Sequence, residues 1–356
     1  MRSGDQQQSS TTPSRSEAYR AVAELYHAYL TGLILKTVLE RGRGDAAELV
    51  FRLFRRQHLE KFLPGLQKLG LTGLPDAVAA AQYHYLSNHL GGVKVEYMPE
   101  SDRKAWIRYV PPRWIYEGTA ICGVPTEVSR AMLKAWHAHN GVSLGNARLG
   151  FVCTKQTTDG QPGLEGYYFE YDRDLSPEER LRFEPGEEGP DFDPDLAPQL
   201  AADEWPEERL QKAARNYAME YVRNIIPEAM RLFGPAEGGH LTQTAARLIG
   251  MQYYDRIASL IDVQGDTPED FARFLSALAL AQGDEVQYRR EGDAVVVTQC
   301  GWRLMQGLTI LNREVFDAWN ALWEGAASVH NRHLRMQVTE RMDLGDPQYT
   351  WRLSAR

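Results

Sequence analysis

The second half of this chain restates the first, and that repetition constrains its architecture more than any single motif. Leu90-Gly-Gly-Val-Lys-Val-Glu-Tyr97 aligns without a gap on Ala281-Gln-Gly-Asp-Glu-Val-Gln-Tyr288. About twenty residues later Arg113-Trp-Ile-Tyr-Glu-Gly118 faces Trp302-Arg-Leu-Met-Gln-Gly307. A helix bearing Trp136 or Trp319 is expected next, and each half closes on an alternating strand, a Gly- and Pro-containing turn, and an aromatic strand. Those closing strands end in Gly166-Tyr-Tyr-Phe-Glu-Tyr171 and Gln348-Tyr-Thr-Trp-Arg-Leu353. Self-similarity at this range signals a duplicated supersecondary unit. The expected organisation is a tail over 1–15, a first unit over 16–172, a linker over 173–208 and a second unit over 209–356.

A length of 356 residues accommodates two such domains. Between them, Asp172 to Glu208 carries 14 acidic residues against Arg173, Arg180 and Arg182, with six prolines interspersed. A segment so charged and so poor in apolar residues reads as a mobile or surface-wrapping linker. The polar stretch before Ser16 reads as disordered. Whole-chain charge is −8, with no basic run to track a phosphate backbone, so nucleic acid is set aside. There is no signal-peptide pattern and no apolar stretch long enough to span a bilayer. Cys122, Cys153 and Cys300 are odd in number and widely spaced, which argues against a disulfide framework and for a reducing, cytoplasmic setting.

Helical spacing runs from a Ser16 cap to Gly42, from Asp45 to beyond Phe54, and from Asp76 to His89. Period-two alternation marks strands at Lys94–Tyr97 and Lys104–Tyr109. The second unit repeats the order, with Thr267-Pro-Glu-Asp as a capped helix start and strands at Asp284–Arg289 and Ala294–Gln299. Each unit is therefore expected to be α+β, a helical part joined to an antiparallel sheet.

Nucleotide fingerprints and the nucleophile elbow are absent. His137 and His139 diverge on a helix, and His330 and His333 lack the companion ligands of a metal site, so no metal is expected. Cys300 follows a strand and precedes Gly301-Trp302, where Arg303 could activate its thiol; the competing reading is a small buried hydrophobe. Trp106, Trp114, Tyr116, Tyr167, Tyr168, Tyr349 and Trp351 either line a cavity for a flat ligand or pack the sheets. Glu340 is a candidate general base, and Arg303 or Arg341 a candidate anchor for an anionic substrate group.

The hairpin Val338-Thr-Glu-Arg-Met-Asp-Leu-Gly-Asp-Pro-Gln-Tyr-Thr-Trp351, with Val297-Thr-Gln-Cys-Gly301 before it, resembles 4-vinyl-reductase domains and the L-2-amino-thiazoline-4-carboxylic acid hydrolase family. Cys300 then corresponds to one member of those families' cysteine set, while Tyr349 stands where another would be and Pro111 faces Cys300 in the first half. The resemblance implies a pseudo-dimer holding a small molecule between or within its units. On that basis the expected function is a hydrolase or lyase of a small, cyclic or aromatic metabolite. Cys300 and Glu340 would be its catalytic residues, and Arg303, Arg341, Trp302, Tyr349 and Trp351 would bind the substrate. The alternative is a non-catalytic binding or sensor protein for an aromatic or lipid-like molecule. A monomer or a homodimer fits either reading, and no cofactor is specified.

Overall fold

Capping chemistry sets where the first helix begins. In the computed structural model, which describes residues 14–113, 115, 117–200, 203–308 and 312–355, α1 spans Arg15–Arg41. Its cap is Ser14 rather than Ser16. The Ser14 side chain accepts from the Glu17 amide while Glu17 reaches back to the Ser14 backbone, and only Ser14 has a glutamate three residues on to complete that box. Gly42, at φ 87°, ends α1 and starts α2 (Arg43–Lys68) in one step, so Asp45 lies in the first turn of α2 rather than capping it. Then follow α3 (Asp76–Leu90), the hairpin β1 (Val95–Ser101) and β2 (Lys104–Tyr109), α4 (Thr126–Ala135), the single turn α5 (Asn140–Ser143), and the hairpin β3 (Leu149–Lys155) and β4 (Leu164–Glu170).

After β5 (Leu181–Phe183) the series runs again as α6 (Glu207–Phe233), α7 (Pro235–Leu260), α8 (Pro268–Gln282), β6 (Glu285–Glu291), β7 (Ala294–Cys300), α9 (Arg313–His330), β8 (Leu334–Glu340) and β9 (Tyr349–Ala355). The opening helices measure 27, 26 and 15 residues in both halves. One sheet has the order β1-β2-β4-β3-β5 and the other β6-β7-β9-β8. The fold is α+β. Among the described residues no helix is long and apolar enough to cross a membrane.

The long helices α1 and α6 pack in the largest apolar cluster, which mixes Leu30 and Leu33 with Val222, Ile225 and Trp319. Each also rests on the opposite half. From α1, the Tyr26 hydroxyl donates to Gln282 Oε1 on α8 and accepts from Trp319 Nε1 on α9 at 3.0 Å. From α6, the Tyr217 ring closes on Gly91 at the end of α3, 3.1 Å from where a Cβ would stand. The halves are thus interlocked by exchanged contacts, and any space beside α6 is walled by both.

The acidic segment lies against the first sheet. Its strand β5 pairs in parallel with β3, from Phe151 opposite Leu181 to Cys153 opposite Phe183, and Leu175 and Ala197 are buried. The Gly189 amide donates to Glu165 Oε1 at 3.2 Å. Glu165, fully buried on β4, also accepts from Thr154 at 3.1 Å and pairs with Arg108 at 2.5 Å and Lys155 at 3.3 Å. Burial pushes its carboxyl up, but the hydrogen bonds from Arg108 and Gly189 outweigh it and hold the group below its ordinary value. Arg108→Leu is expected to cost about 3 kcal/mol, because it strips the main partner from a buried charge. Urea denaturation near neutral pH measures this, and a loss well under 1 kcal/mol would mean that Lys155, Thr154 and the Gly189 amide suffice.

Candidate functional site

The residues singled out by sequence divide into separate places. Trp302, Tyr349 and Trp351 enter one aromatic cluster in the second half. Tyr349 stacks on Phe316 at 4.8 Å, Trp302 lies 5.3 Å from Trp319, and the Trp351 indole donates to Asn320 Oδ1 at 2.8 Å. Tyr349 and Trp351 are buried there as core. Arg341 lies over the Phe316 ring at 4.2 Å and pairs with Asp317 at 2.7 Å and Asp343 at 2.6 Å, so its charge is answered within the fold. The Cys300 thiol is exposed at the end of β7. Glu340, across β9 at the same end of the sheet, accepts from Thr350 and Gln348, and these bonds lower its pKa. No hydrogen bond joins Cys300 to Glu340 among the described residues. Trp106, Tyr167 and Tyr168 lie in the first sheet, whereas Trp114 and Tyr116 fall outside the described residues.

Arg303 is elsewhere, on the wall of a cleft of about 460 Å³ between the halves. Helices α2 and α3 form one side, α6 the other, with Trp205 and Leu304 at the edges. Its aromatic wall comprises Tyr83, Trp136, Tyr217 and Tyr221. Its cations are Lys61, Lys68, Arg223 and Arg303, against Glu220 as the acidic side chain. Lys61 pairs with Glu220 at 3.5 Å and Lys68 stands over the Trp205 ring at 5.7 Å. The Trp136 indole N–H is buried without a partner among the described residues. Flat apolar walls beneath a cationic rim suit a molecule with an aromatic or apolar body and an acidic end.

Past Tyr83, Trp136, Tyr217 and Tyr221 the cleft adjoins an inner cavity of about 70 Å³, whose walls include His84, Asn88, Tyr109, Arg113 and His137. Behind it lies a closed polar network. The His84 and His137 rings stack with centroids 4.1 Å apart, and the Tyr109 hydroxyl oxygen sits 3.1 Å from His84 Nδ1 and 3.3 Å from His137 Nε2. His137 Nδ1 is 2.7 Å from the Tyr168 hydroxyl, and the Asn140 amide nitrogen lies 2.8 Å from that oxygen and 3.2 Å from His84 Nε2. Burial, then His137 and His58, hold His84 well below its ordinary pKa; burial, then Arg113 and His58, bring His137 to about 3. Both rings are neutral.

Asn140 Nδ2 lies toward His84 Nε2 and the Tyr168 oxygen, while Asn140 Oδ1 is buried without a partner among the described residues; turning the amide exchanges the two and reverses both imidazole tautomers. The Tyr109 side chain is hydrogen-bonded to Asn88 as well as lying within reach of both rings, so the network surrounds its hydroxyl.

The second half has no such space. Counting from the matched starts of α3 and α8, Ser276 replaces His84 and Leu275 replaces Tyr83; counting from the matched strands, Gln299 replaces Tyr109 and Leu353 replaces Tyr168. The corresponding hollow, bounded by Gln299, Trp319, Trp323 and Trp351, shrinks to about 10 Å³. The same counting sets Gly250 opposite His58. In the second half α9 is one unbroken helix pressed on α7 at Gly250. In the first, the His58 ring meets Trp136 edge-on at 5.4 Å, and the helix stops at Ala135.

Sequence reasoning passed over His84, Tyr109 and Asn140, named Tyr168 only among the sheet aromatics, and set His137 aside because it diverges from His139 on a helix. The available signal was on α3, where Tyr83, His84, Ser87 and Asn88 interrupt an alanine-rich helix at spacings that share a face. Among the described residues no group of three His, Cys, Asp or Glu side chains is placed to hold a metal.

No family model, curated protein or solved structure matches this chain. Function therefore rests on the chemistry of the cleft.

Proposed function

We propose that this protein binds a small molecule, with a flat or apolar body and an anionic group, in the cleft between its halves. The asymmetry of the halves carries this reading: behind the aromatic and cationic cleft the first half keeps an inner cavity of about 70 Å³, where its counterpart in the second half, filled by tryptophan, holds about 10 Å³. Equal helix lengths and strand orders support two related α+β units fused as a 4-vinyl-reductase-like pseudo-dimer, one unit holding the ligand and the other bracing it. The aromatic anion 8-anilinonaphthalene-1-sulfonate is a direct probe. Its fluorescence should report one site per chain, weakened about tenfold by joint Lys68→Ala and Arg303→Ala replacement. Several equivalent sites, or an affinity indifferent to both cations, would remove the cleft as the binding place.

A hydrolase or lyase working in the same cleft is the second reading, favoured by the Tyr109 hydroxyl, a proton carrier within 3.1 Å of a neutral imidazole. Turnover lost in Tyr109→Phe but retained in Cys300→Ala and Glu340→Gln would put chemistry in the first half. The opposite pattern would return it to the end of the second sheet.

A further inference from the structure

We propose that the anionic group of the ligand is a phosphate monoester, held at the Trp205 end of the cleft by the Asn216 amide and Arg303, and that buried Arg215 aims that amide. The inference rests on the cleft as the binding place and adds the class of the anion and the residues that read it.

Three observations carry it. The first is the fixed sense of the Asn216 amide. Its Oδ1 accepts from Arg215 Nε at 3.2 Å and from Arg215 Nη2 at 2.6 Å. A guanidinium only donates, so the oxygen must face Arg215 and the NH2 group is left over. Asn216 lines the cleft, and that NH2 makes no hydrogen bond among the described residues.

The second is that the aiming group is itself locked and charged. Arg215 is 1% exposed, donates through Nη1 to the Ala281 carbonyl at the end of α8, and lies over the Tyr19 ring at 4.7 Å. Burial, then Arg303, bring its pKa down to about 10, so it is a cation at neutral pH. A charge donating to the amide oxygen polarises the amide and strengthens its NH2 as a donor. The donor is set before a ligand arrives, with little ordering cost on binding.

The third is an excess of cations at this end. Arg52 meets Glu228 and Lys61 meets Glu220, so α2 and α6 run antiparallel. Lys68, two turns past Lys61, therefore comes level with Ala213, one turn from Asn216. Glu220 is already paired with Lys61, and Arg223 is bound to the Leu304 and Gln306 carbonyls. Arg303 Nη1 lies at Gly283, beside the Ala281 carbonyl that holds Arg215. Asp284 acts on both guanidiniums, with its oxygens taken by the Arg303 backbone N–H at 2.7 Å and by Gln299 at 3.2 Å. The exposed Asp203, Glu204, Glu207 and Glu208 flank Trp205 but do not line the cleft. Lys68, Arg303 and Arg215 against Asp284 leave two positive charges. A phosphate monoester brings close to two negative charges and three acceptor oxygens, whereas a carboxylate or a sulfate brings one charge.

Arg215 acts through Asn216 and is a positioning residue. A purely structural role for it predicts lower stability with an unchanged preference among head groups.

The esters 1-naphthyl phosphate and 1-naphthyl sulfate share a ring and a tetrahedral head and differ by about one charge near pH 7.5. Titration calorimetry on the whole chain should show the phosphate about tenfold tighter. The phosphorus NMR resonance of the bound ester should hold its dianion position down to about pH 6, where about half of the free ester is protonated. Asn216→Asp keeps an oxygen on Arg215 and turns a second oxygen to the cleft. It should weaken phosphate about a hundredfold, and by more than sulfate, with melting little changed. Arg215→Met should narrow the phosphate-to-sulfate ratio, and Arg215→Lys should restore part of it. The wild-type ratio and spectrum, with Asn216→Asp, stand as tests even if the Arg215 variants fail to fold. Equal affinities for the two esters would overturn the proposal, as would wild-type phosphate affinity in Asn216→Asp. Inorganic phosphate binding as tightly as naphthyl phosphate would also overturn it, since the ring would then lie outside the cleft. If 8-anilinonaphthalene-1-sulfonate binds the cleft and phosphate holds no advantage over sulfate, this inference fails and the cleft reading survives. If neither the sulfonate nor the naphthyl esters bind there, both fall.

Discussion

Acidification to about pH 5 is expected to remove most of this protein's stability, through histidines held neutral in its interior. His27, His58, His84 and His137 are all buried. Burial is the first cause in each case. It brings His27 to about 3, His58 to about 3 with His139 and Arg55 adding, and His137 to about 3, and it leaves His84 well below the ordinary value. The charged neighbours facing these rings, Arg55 at His58 and Arg113 at His137, push the same way, and His84 faces His137 and His58. Each folded-state pKa lies below the unfolded one, so unfolding takes up protons. The stabilisation is complete above about pH 6.5 and is lost progressively as pH falls toward about 3.

At about pH 5 an unfolded histidine gains about 2 kcal/mol from protonation that the folded ring cannot match. Four such rings sum to an upper figure of about 8 kcal/mol, comparable to the whole stability of a typical domain. Urea midpoints measured from about pH 7.5 to about pH 5 should fall steeply, and His58→Phe should flatten that slope by about a quarter. A midpoint constant to within a few tenths molar over this range would show that these rings ionise in place. Glu165, with its lowered carboxyl pKa, adds a loss of the same sign only below about pH 4.5, so it does not explain an earlier decline.

Gly250→Ala is expected to destabilise the fold by about 3 kcal/mol, although alanine is the better helix former by about 1 kcal/mol. Helices α7 and α9 cross backbone to backbone. A Cβ at Gly250 would strike the Leu322 carbonyl oxygen and come within 3.0 Å of the Ala326 nitrogen, and one at Gly325 would strike the Arg247 carbonyl. These are main-chain atoms of helices, so relief requires the whole helix to shift, and α9 carries Trp319 and Trp323 in the core. Gly44→Ala is the matched control. Gly44 lies in α2 with nothing within 4 Å of a built Cβ, and its replacement should stabilise by up to about 1 kcal/mol. Melting of Gly250→Ala no lower than that of Gly44→Ala would contradict so close a crossing.

This contact also bears on why the halves differ in their inner space while sharing an order of elements. At the position of Gly250 the first half has His58, whose ring packs against Trp136 and stacks on Phe62 at 4.8 Å. A side chain of that size prevents the close approach seen between α7 and α9. The chain after Ala135 turns through His137 and Asn140 instead of continuing as a helix, and these become parts of the network. The Gly250/His58 difference thus acts together with those at His84, Tyr109 and Tyr168 in separating a filled core from a hollow one.

Much of the secondary structure was legible in the chain. Ala-rich 76–90 is a helix because its apolar positions recur at helical spacing and a glycine pair follows it. Thr267 starts α8 because Thr-Pro-Glu-Asp satisfies the orphan amides from within four residues. The alternation at 104–109 is that of a strand, whereas 294–299 is an apolar run that forms a strand buried along its whole length. The aromatic residues singled out in the second half, Trp302, Tyr349 and Trp351, do gather in space, but as packing: the sequence contains no measure of whether a ring faces a void or another ring.

What the sequence determined by itself is local: the α+β class, the helix starts written by caps, and the strands written by alternation, since each depends on residues within a few positions of one another. Tertiary structure decided where a ligand can go. The cleft takes its walls from α2 and α3 on one side and α6 on the other, and the network around Tyr109 joins residues between positions 84 and 168, brought together only when hairpin, helix and broken turn pack. Burial then sets the protonation of the histidines, and burial is a property of the assembled chain.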